Sequence, residues 1–364
     1  MKSLGIYIHV PFCGKKCRYC DFYSVSYTKK QAEMYCDAVL RNIRRYSDKN
    51  SVTDTVYFGG GTPSLLTAGQ ISQYITAIKE YFNLSPDAEI TLEANPNTLV
   101  PEKLTALRNA GVNRLSIGIQ SMNNDELRFL GRTHTAERAG KAVRDACSAG
   151  FDNISCDLMI ALPNQTVENI RYSIQRISEL PVSHISAYIL KIEDGTAFDC
   201  DEIRNAVPDD DTSADLYLAM VRELKNHGFM QYEVSNFAKS GFESRHNSRY
   251  WKSLDYIGIG VSSHSFLNGI RFAVEPDLQK FIDSPVQPIT ITDRNAGSPE
   301  EFAMLRLRLS EGLDLNDVKS KKDSIIKKIP PLIKAGYVNL NNETVSLTEK
   351  GFIVSNSIIE YLIF

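Results

Sequence analysis

The sequence is short of the features that would assign it quickly. It has one tryptophan among 364 residues and a formal net charge of only −3. That charge gives no electrostatic case for nucleic acid as the main partner. No apolar run approaches the ~20 residues of a membrane span. The amino terminus, MKSLGIYIHVPF, lacks the charged, apolar and small-residue order of a secretory signal. These absences predict a soluble protein that stays in the cytoplasm. The most informative absence is local. Cys13, Cys17 and Cys20 lie close together in YIHVPFCGKKCRYCDF, with no fourth cysteine near enough to complete a cage. Iron-sulfur clusters normally take four thiolates, so three would leave one iron open to a ligand from solution or substrate. A structural zinc site completed by His9 or a distant side chain is the other reading of the trio.

The remaining cysteines, Cys36, Cys147, Cys156 and Cys200, are scattered singly in contexts that read as helix, helix, strand end and loop. In a reducing compartment such thiols stay free, and a buried free cysteine behaves as a small hydrophobe.

The length allows a large α/β domain with an appendage. Short β-branched runs alternate with amphipathic segments. GIYIHV precedes a helix from Thr28 to Tyr46, DTVYFGG one through Ile71 to Tyr81, and EITLEAN one opened by Pro101. NRLSIGIQ precedes helices spanning Asp125 to Ala149, NISCDLMIAL one from Val167 to Leu180, and HISAYIL closes the series. Six βα units imply parallel pairing and fit an incomplete TIM-like barrel better than a doubly wound sheet. Cys13, Gly59 to Gly61, Glu93, Gln120 and Asp157 are each expected at or just past a strand end, where such barrels gather their chemistry. The expected division is residues 1–285 for the barrel and the region after it, and 286–364 for a small α+β domain. In the latter, helices Pro299–Ser310 and Ser324–Ala335 precede a YVNL/TVSL hairpin, and Thr348 caps a final helix to Phe364, an order like a winged helix. Its lysines, Lys319, Lys321, Lys322, Lys327 and Lys328, read as a solvated face or a protein-docking surface, not as a DNA site.

The Cys-x3-Cys-x2-Cys spacing, with Tyr19 before the last cysteine, resembles the radical S-adenosylmethionine (SAM) superfamily. In that superfamily SAM chelates the unique iron of a 4Fe-4S cluster. FGGGTPS, read alone, is a turn or a place where glycine amides approach an anionic ligand closely. In its position it resembles the family's methionine-contacting glycine motif. By the same resemblance Tyr7, Gly60 and Glu93 of LEANP would contact SAM. Tyr19, Gly61, Thr62, Gln120 of RLSIGIQS, Arg132 of LGRTH and Asp157 match positions that hold a second SAM in the oxygen-independent coproporphyrinogen oxidase group.

Further along, His246, Asn247, Tyr250 and Trp251 form HNxxYW, which resembles the heme-binding signature of HemW-type heme chaperones within that group, and YIGIGVSSHSF, which follows it, is also similar to that group. The resemblance covers nearly the whole chain and implies a cluster, SAM, heme and client hemoproteins. A neutral imidazole is a common axial ligand, so the resemblance implies that His246 ligates heme iron, with aromatic rings on the porphyrin face; in the residues alone, His246 also reads as a hydrogen-bonded loop histidine and Trp251 as a core anchor. Asp21-Phe22 stands where coproporphyrinogen oxidases carry a further cysteine, and their amino-terminal extension is missing, which points away from decarboxylation of coproporphyrinogen III. ALPNQT carries Ala161 and Asn164 where relatives usually carry glycine, leaving that loop's backbone open. HNSRYW favours a heme chaperone. The intact SAM pattern leaves a second reading, a radical-SAM tetrapyrrole enzyme such as a coproporphyrinogen oxidase or a heme-modifying methyltransferase.

Overall fold

The computed structural model describes residues 2–364. Strands β1 (Ser3–Val10), β2 (Asp48–Gly60), β3 (Phe82–Ala94), β4 (Arg114–Gln120), β5 (Asn153–Ile160) and β6 (His184–Ile189) lie side by side in chain order, all parallel. Between them run helices α1 (Lys29–Arg45), α2 (Ala68–Tyr81), α3 (Pro101–Ala110), α4 (Asn124–Phe129), α5 (Ala136–Ser148) and α6 (Val167–Ser178). The helices begin where the sequence supplies an acceptor for their first free amides. The Thr28 side chain accepts from the Gln31 amide, and Thr67 with Gln70 and Thr166 with Asn169 form reciprocal capping boxes. Each helix turns an apolar stripe to the sheet, as Ala32, Tyr35, Cys36, Val39 and Ile43 do in α1, and these faces join one continuous core.

The sheet extends beyond the six expected strands. β7 (Asn236–Ala238) adds antiparallel to β6, and β8 (Tyr256–Ile259) adds parallel to the outer side of β1. From β8 the sheet continues antiparallel through β9 (His264–Leu267), β10 (Ile270–Val274) and β11 (Ile289–Asp293). A short strand, Met230–Gln231, pairs antiparallel with β7 as the twelfth, and the twelve-stranded order is linear, so the barrel stays open. YIGIGVSSHSF therefore supplies a seventh parallel strand and the start of a meander. Its short apolar run between turn residues is a pattern shared by buried strands and helix segments.

Two details differ from expectation. Asp157 lies inside β5, three positions before its end at Ile160, and Cys156 is likewise interior, because pairing with β6 continues through Ile160↔Ile189. Ala161 and Asn164 both adopt left-handed backbone, with φ of 58° and 57°. The loop thus keeps a glycine-type conformation without glycine.

β11 still pairs with the large sheet, and the separate layer opens with α7 (Pro299–Arg306). β12 (Leu313–Asp314), α8 (Lys322–Lys334), β13 (Val338–Asn341) and β14 (Thr344–Leu347) follow, the strands in the order β12-β14-β13. Asn342 and Glu343 turn the hairpin with φ of 47° and 69°. Thr348 caps the next helix as expected, but that helix breaks at Val354 into Glu349–Ile353 and Ser355–Ile363. α8 runs through Pro330 and Pro331 without ending.

Candidate cofactor-binding site

Period-two alternation places one side chain in two from each strand inside the barrel. On β2 these are Thr55, Tyr57 and Gly59; they meet Tyr7 and His9 of β1 and Glu89 and Glu93 of β3. Tyr57 is the hinge of the arrangement. Its hydroxyl donates to Glu93 Oε1 at 2.8 Å, while the Gly60 amide donates to Oε2 at 3.1 Å. Both carboxylate oxygens are therefore oriented. Tyr7 stacks on Tyr57 with ring centroids 6.1 Å apart. Burial pushes the Glu93 carboxyl up to about 7, with the Asp157 charge adding to it and the Tyr57 and Gly60 hydrogen bonds opposing it.

The glycine run works mainly through close packing. A Cβ on Gly61 would come 2.8–3.0 Å from backbone atoms of Val10, Pro11 and Phe12, and one on Gly60 would strike the His9 ring. The amides expected to approach a ligand have partners inside the chain: Gly60 with Glu93, Gly61 with the Val10 carbonyl, and Thr62 with the Phe12 carbonyl. This clamps the start of the cysteine loop onto the top of the barrel. Thr62 Oγ1 then points to Cys13 Sγ at 3.7 Å, and Arg132 Nη1 donates to Cys17 Sγ at 3.2 Å.

Gln120, Arg132 and Asp157 come together on the other side of the cysteine loop. Arg132 also donates to the Gly118 carbonyl, and its Nε is buried without a partner. Asp157 accepts from Ser116 Oγ at 3.1 Å, and burial raises its pKa. Gln120 ends β4 in left-handed backbone, φ 66°. Tyr19 packs near Phe198, ring centroids 6.4 Å apart.

His246 sits elsewhere than at a surface. The short helix Arg245–Trp251 lies against the lower halves of β1 to β3, anchored by Glu89, which accepts from the Arg245 and His246 amides at 3.0 Å each. The His246 ring is completely buried. Nδ1 pairs with Thr55 Oγ1 at 2.9 Å, Nε2 with Tyr250 Oη at 3.0 Å, and the ring stacks 5.1 Å from Tyr57. Burial, with Arg249 and Arg114 nearby, lowers its pKa to about 3, so it is a neutral imidazole. Asn247, Tyr250 and Trp251, in contrast, line a cavity of about 720 Å³ that also reaches Tyr7 and Glu93. That volume is within the ~300–1,000 Å³ of small-molecule and cofactor sites. Phe22 and Tyr188, 61% and 41% exposed, also line it.

Sequence reasoning missed Tyr57, Glu233 and Arg114. Tyr57 had a signal, its inward register two residues before Gly59. Glu233 also lines the cavity, and its carboxyl is pushed up to about 7 by burial. Arg114 is 1% exposed with Nε and Nη1 unpartnered, and its charge opposes the upward shifts of Glu93 and Asp157.

His9, one fourth ligand open to a zinc site, is taken up. Both His9 nitrogens are engaged, Nδ1 with Tyr7 Oη and Nε2 with the Tyr23 carbonyl, each at 3.2 Å. Among the described residues, no three or more His, Cys, Asp or Glu gather tightly enough for a single ion.

Comparison with known proteins agrees with this geometry. The sequence profile of the radical SAM superfamily matches residues 7–177, and that of the HemN C-terminal domain matches residues 298–354. The heme chaperone HemW of Lactococcus lactis is 34% identical over 369 residues, spanning 99% of this chain and 97% of that protein. The heme chaperone HemW of Escherichia coli K12 is 33% identical over 379 residues, spanning 99% and 98%. Among solved structures, coproporphyrinogen III oxidase (HemN) from Escherichia coli superposes with a TM-score of 0.82 at 23% identity, covering 100% of this chain and 90% of that one. That likeness establishes the fold: an incomplete radical-SAM barrel with a HemN-type C-terminal domain. The chain belongs to the HemW family of radical SAM proteins.

Membership implies a 4Fe-4S cluster and SAM. The residues fit both groups. Three thiols share one clamped loop, with a hydroxyl and a guanidinium directed at two of them; Glu93 is held as a two-sided acceptor below, and the orphaned Arg132 Nε is a free donor beside the loop.

Proposed function

We propose that this chain is a cytoplasmic heme chaperone, holding a 4Fe-4S cluster, SAM and heme and passing heme to client hemoproteins. The observation that carries the reading is the shared cavity. One wall brings the SAM-side residues Tyr7 and Glu93, another brings Asn247, Tyr250 and Trp251, and exposed Phe22 and Tyr188 add aromatic surface. Aromatic faces suit a porphyrin plane, and Arg308 in the same cavity offers a cation for a propionate.

In this reading Cys13, Cys17 and Cys20 hold the cluster, leaving one iron for the amino and carboxylate groups of SAM. Gly60 orients Glu93 through its amide, and Glu93 with Tyr7 borders the adenosine side. Tyr19, Gly61, Thr62, Gln120, Arg132 and Asp157 surround the position of a second SAM, with the Arg132 guanidinium suited to a carboxylate. His246 supports the heme side from behind, through Tyr250. Bound to the cluster, SAM supplies reductive cleavage to a carbon radical, and the intact SAM side is what favours the enzymatic alternative. Residues 1–285 and 286–364 would divide these tasks between cofactor binding and client docking. No helix among the described residues is long and apolar enough to cross a membrane.

One experiment separates the two readings. Anaerobically reconstituted protein is incubated with SAM, reductant and coproporphyrinogen III, and in parallel with heme. Heme retained through gel filtration and passed on to an apo-hemoprotein, without protoporphyrinogen formation, is the expected result. Protoporphyrinogen formation without stable heme retention would reverse the assignment.

A further inference from the structure

We propose that His264, outside the HNxxYW motif, is the side chain that ligates the iron of heme in the shared cavity. The inference rests on the heme-binding reading above. A neutral imidazole is a common axial ligand, provided a ring nitrogen is free and the ring reaches the porphyrin site.

The chain has six histidines. His246 is 0% exposed, both nitrogens are engaged, and the ring lies behind Tyr250, outside the cavity lining. Ligation by it would break the bond to Tyr250 and swing the ring out from its stack on Tyr57. His9 lines the cavity but is 4% exposed and engaged on both nitrogens. His134, His184 and His227 hydrogen-bond elsewhere, to the Ile119 carbonyl, to Ser155 and Tyr232, and to Glu223. Among the described residues, His264 alone has a ring with no hydrogen-bond partner. It is exposed, and it lines the same cavity as Tyr250 and Trp251.

Its setting is also rigid. His264 opens β9 and pairs with Ala273 of β10, and the preceding turn is closed by the Ser263 hydroxyl donating to the Gly260 carbonyl at 2.7 Å. Even a single methyl on Gly258 would collide with the His264 carbonyl, so β8 and β9 are held backbone to backbone. A ligand on a fixed strand keeps its geometry without help from cargo. Trp251 and Tyr250 lie on a different element, the Arg245–Trp251 helix. The pocket thus offers a nitrogen from the meander and aromatic faces from the motif. In this arrangement the motif shapes the porphyrin site while a residue outside it fixes the iron.

The test uses the full-length, cluster-loaded protein, ferric heme and anaerobic titration read by Soret absorption and electron paramagnetic resonance. Wild-type protein that retains no heme removes the function reading together with this inference. Given wild-type binding, His264→Ala is expected to shift the Soret band and lower heme affinity roughly tenfold or more. Added free imidazole should then restore the wild-type spectrum, which a structural role would not do. His264→Cys should convert the spectrum to a thiolate-ligated form. His227→Gln, at a histidine that pairs with Glu223 away from the cavity, should retain the wild-type Soret position and affinity. A His264→Ala protein with unchanged spectrum and affinity, or one changed but not restored by imidazole, overturns the assignment.

Discussion

Glu93 is where the site's electrostatics concentrate. Its pKa is raised to about 7, chiefly by burial, so between the ordinary carboxyl range and pH 7 the folded chain holds a proton that the unfolded chain releases. Its contribution to stability is therefore fully present below the unfolded value and is lost as pH rises through about 7. A ligand that needs the anion works against that proton. SAM affinity is thus expected to fall as pH drops below about 7. Glu93→Gln should retain the cluster, bind SAM weakly and lose this pH dependence, because its amide can accept from Gly60 and donate to the Tyr57 hydroxyl but offers a ligand no charged, titrating acceptor. Isothermal titration across pH 6 to 8.5 on both proteins checks this, and an unchanged affinity in the variant would remove Glu93 from the site. Ala161 is a second residue-scale test. Its left-handed φ of 58° costs ~1–2 kcal/mol for a side chain with a Cβ. Its buried methyl returns ~0.8 kcal/mol. Ala161→Gly should accordingly stabilise by up to about 1 kcal/mol, seen as a higher urea midpoint with unchanged slope.

The short helix Arg245–Trp251 is too brief to hold itself together, so its anchors decide its position. Glu89 takes its first amides, and Arg249, 2% exposed, ties its end to the barrel floor. Arg249 pairs with Asp54, donates to Ser3 Oγ at 2.9 Å, and reaches the Asp255 carbonyl at 2.8 Å. Arg249→Met is expected to cost roughly 3 kcal/mol, the low end for a broken buried pair, because Asp54 is partly reached by water. Arg249→Lys should recover little of this, since an ammonium cannot reproduce the fork. Both variants should also weaken heme retention, because Tyr250 and Trp251 ride on this helix. Denaturation midpoints together with gel-filtration retention measure the two effects. Wild-type heme retention in a clearly destabilised Arg249→Met protein would uncouple helix placement from the cavity.

At the scale of the whole molecule, the cysteine loop must be closed by the barrel before it can serve as a cluster site. Its thiols come from one short segment, while the groups directed at them, Thr62 and Arg132, come from distant parts of the chain. The other four cysteines lie apart, Cys36 and Cys156 buried and Cys147 and Cys200 exposed. Replacing all four by serine or alanine should leave about four irons and four sulfides per chain after anaerobic reconstitution, whereas alanine at Cys13, Cys17 or Cys20 should abolish the cluster. Loss of cluster absorbance in a folded quadruple variant would contradict the three-thiolate assignment.

The sequence by itself determined the six βα units, because side-chain period and capping residues are local properties of the chain. Thr28 starts its helix as expected, Thr67 and Thr166 cap theirs in the same local way, and Gly336 and Thr348 punctuate the C-terminal layer. The cluster and SAM that family membership implies were equally expected from the sequence, since the spacing of Cys13, Cys17 and Cys20 is local. Tertiary structure decided which groups those residues meet. The glycine amides were expected to face a ligand and instead hold Glu93 and the cysteine loop, because β1 and β2 come together closely enough to claim them. His246 was read from its motif, yet the environment that occupies both its nitrogens comes from β2 and from its own helix, at Thr55 and Tyr250. His264 lies outside HNxxYW, in YIGIGVSSHSF, whose likeness to the family gives its ring no role by itself. Its free ring becomes visible only when β8 pairs parallel to β1 and carries the meander to the cavity, a contact between residues some 250 positions apart that no local pattern encodes.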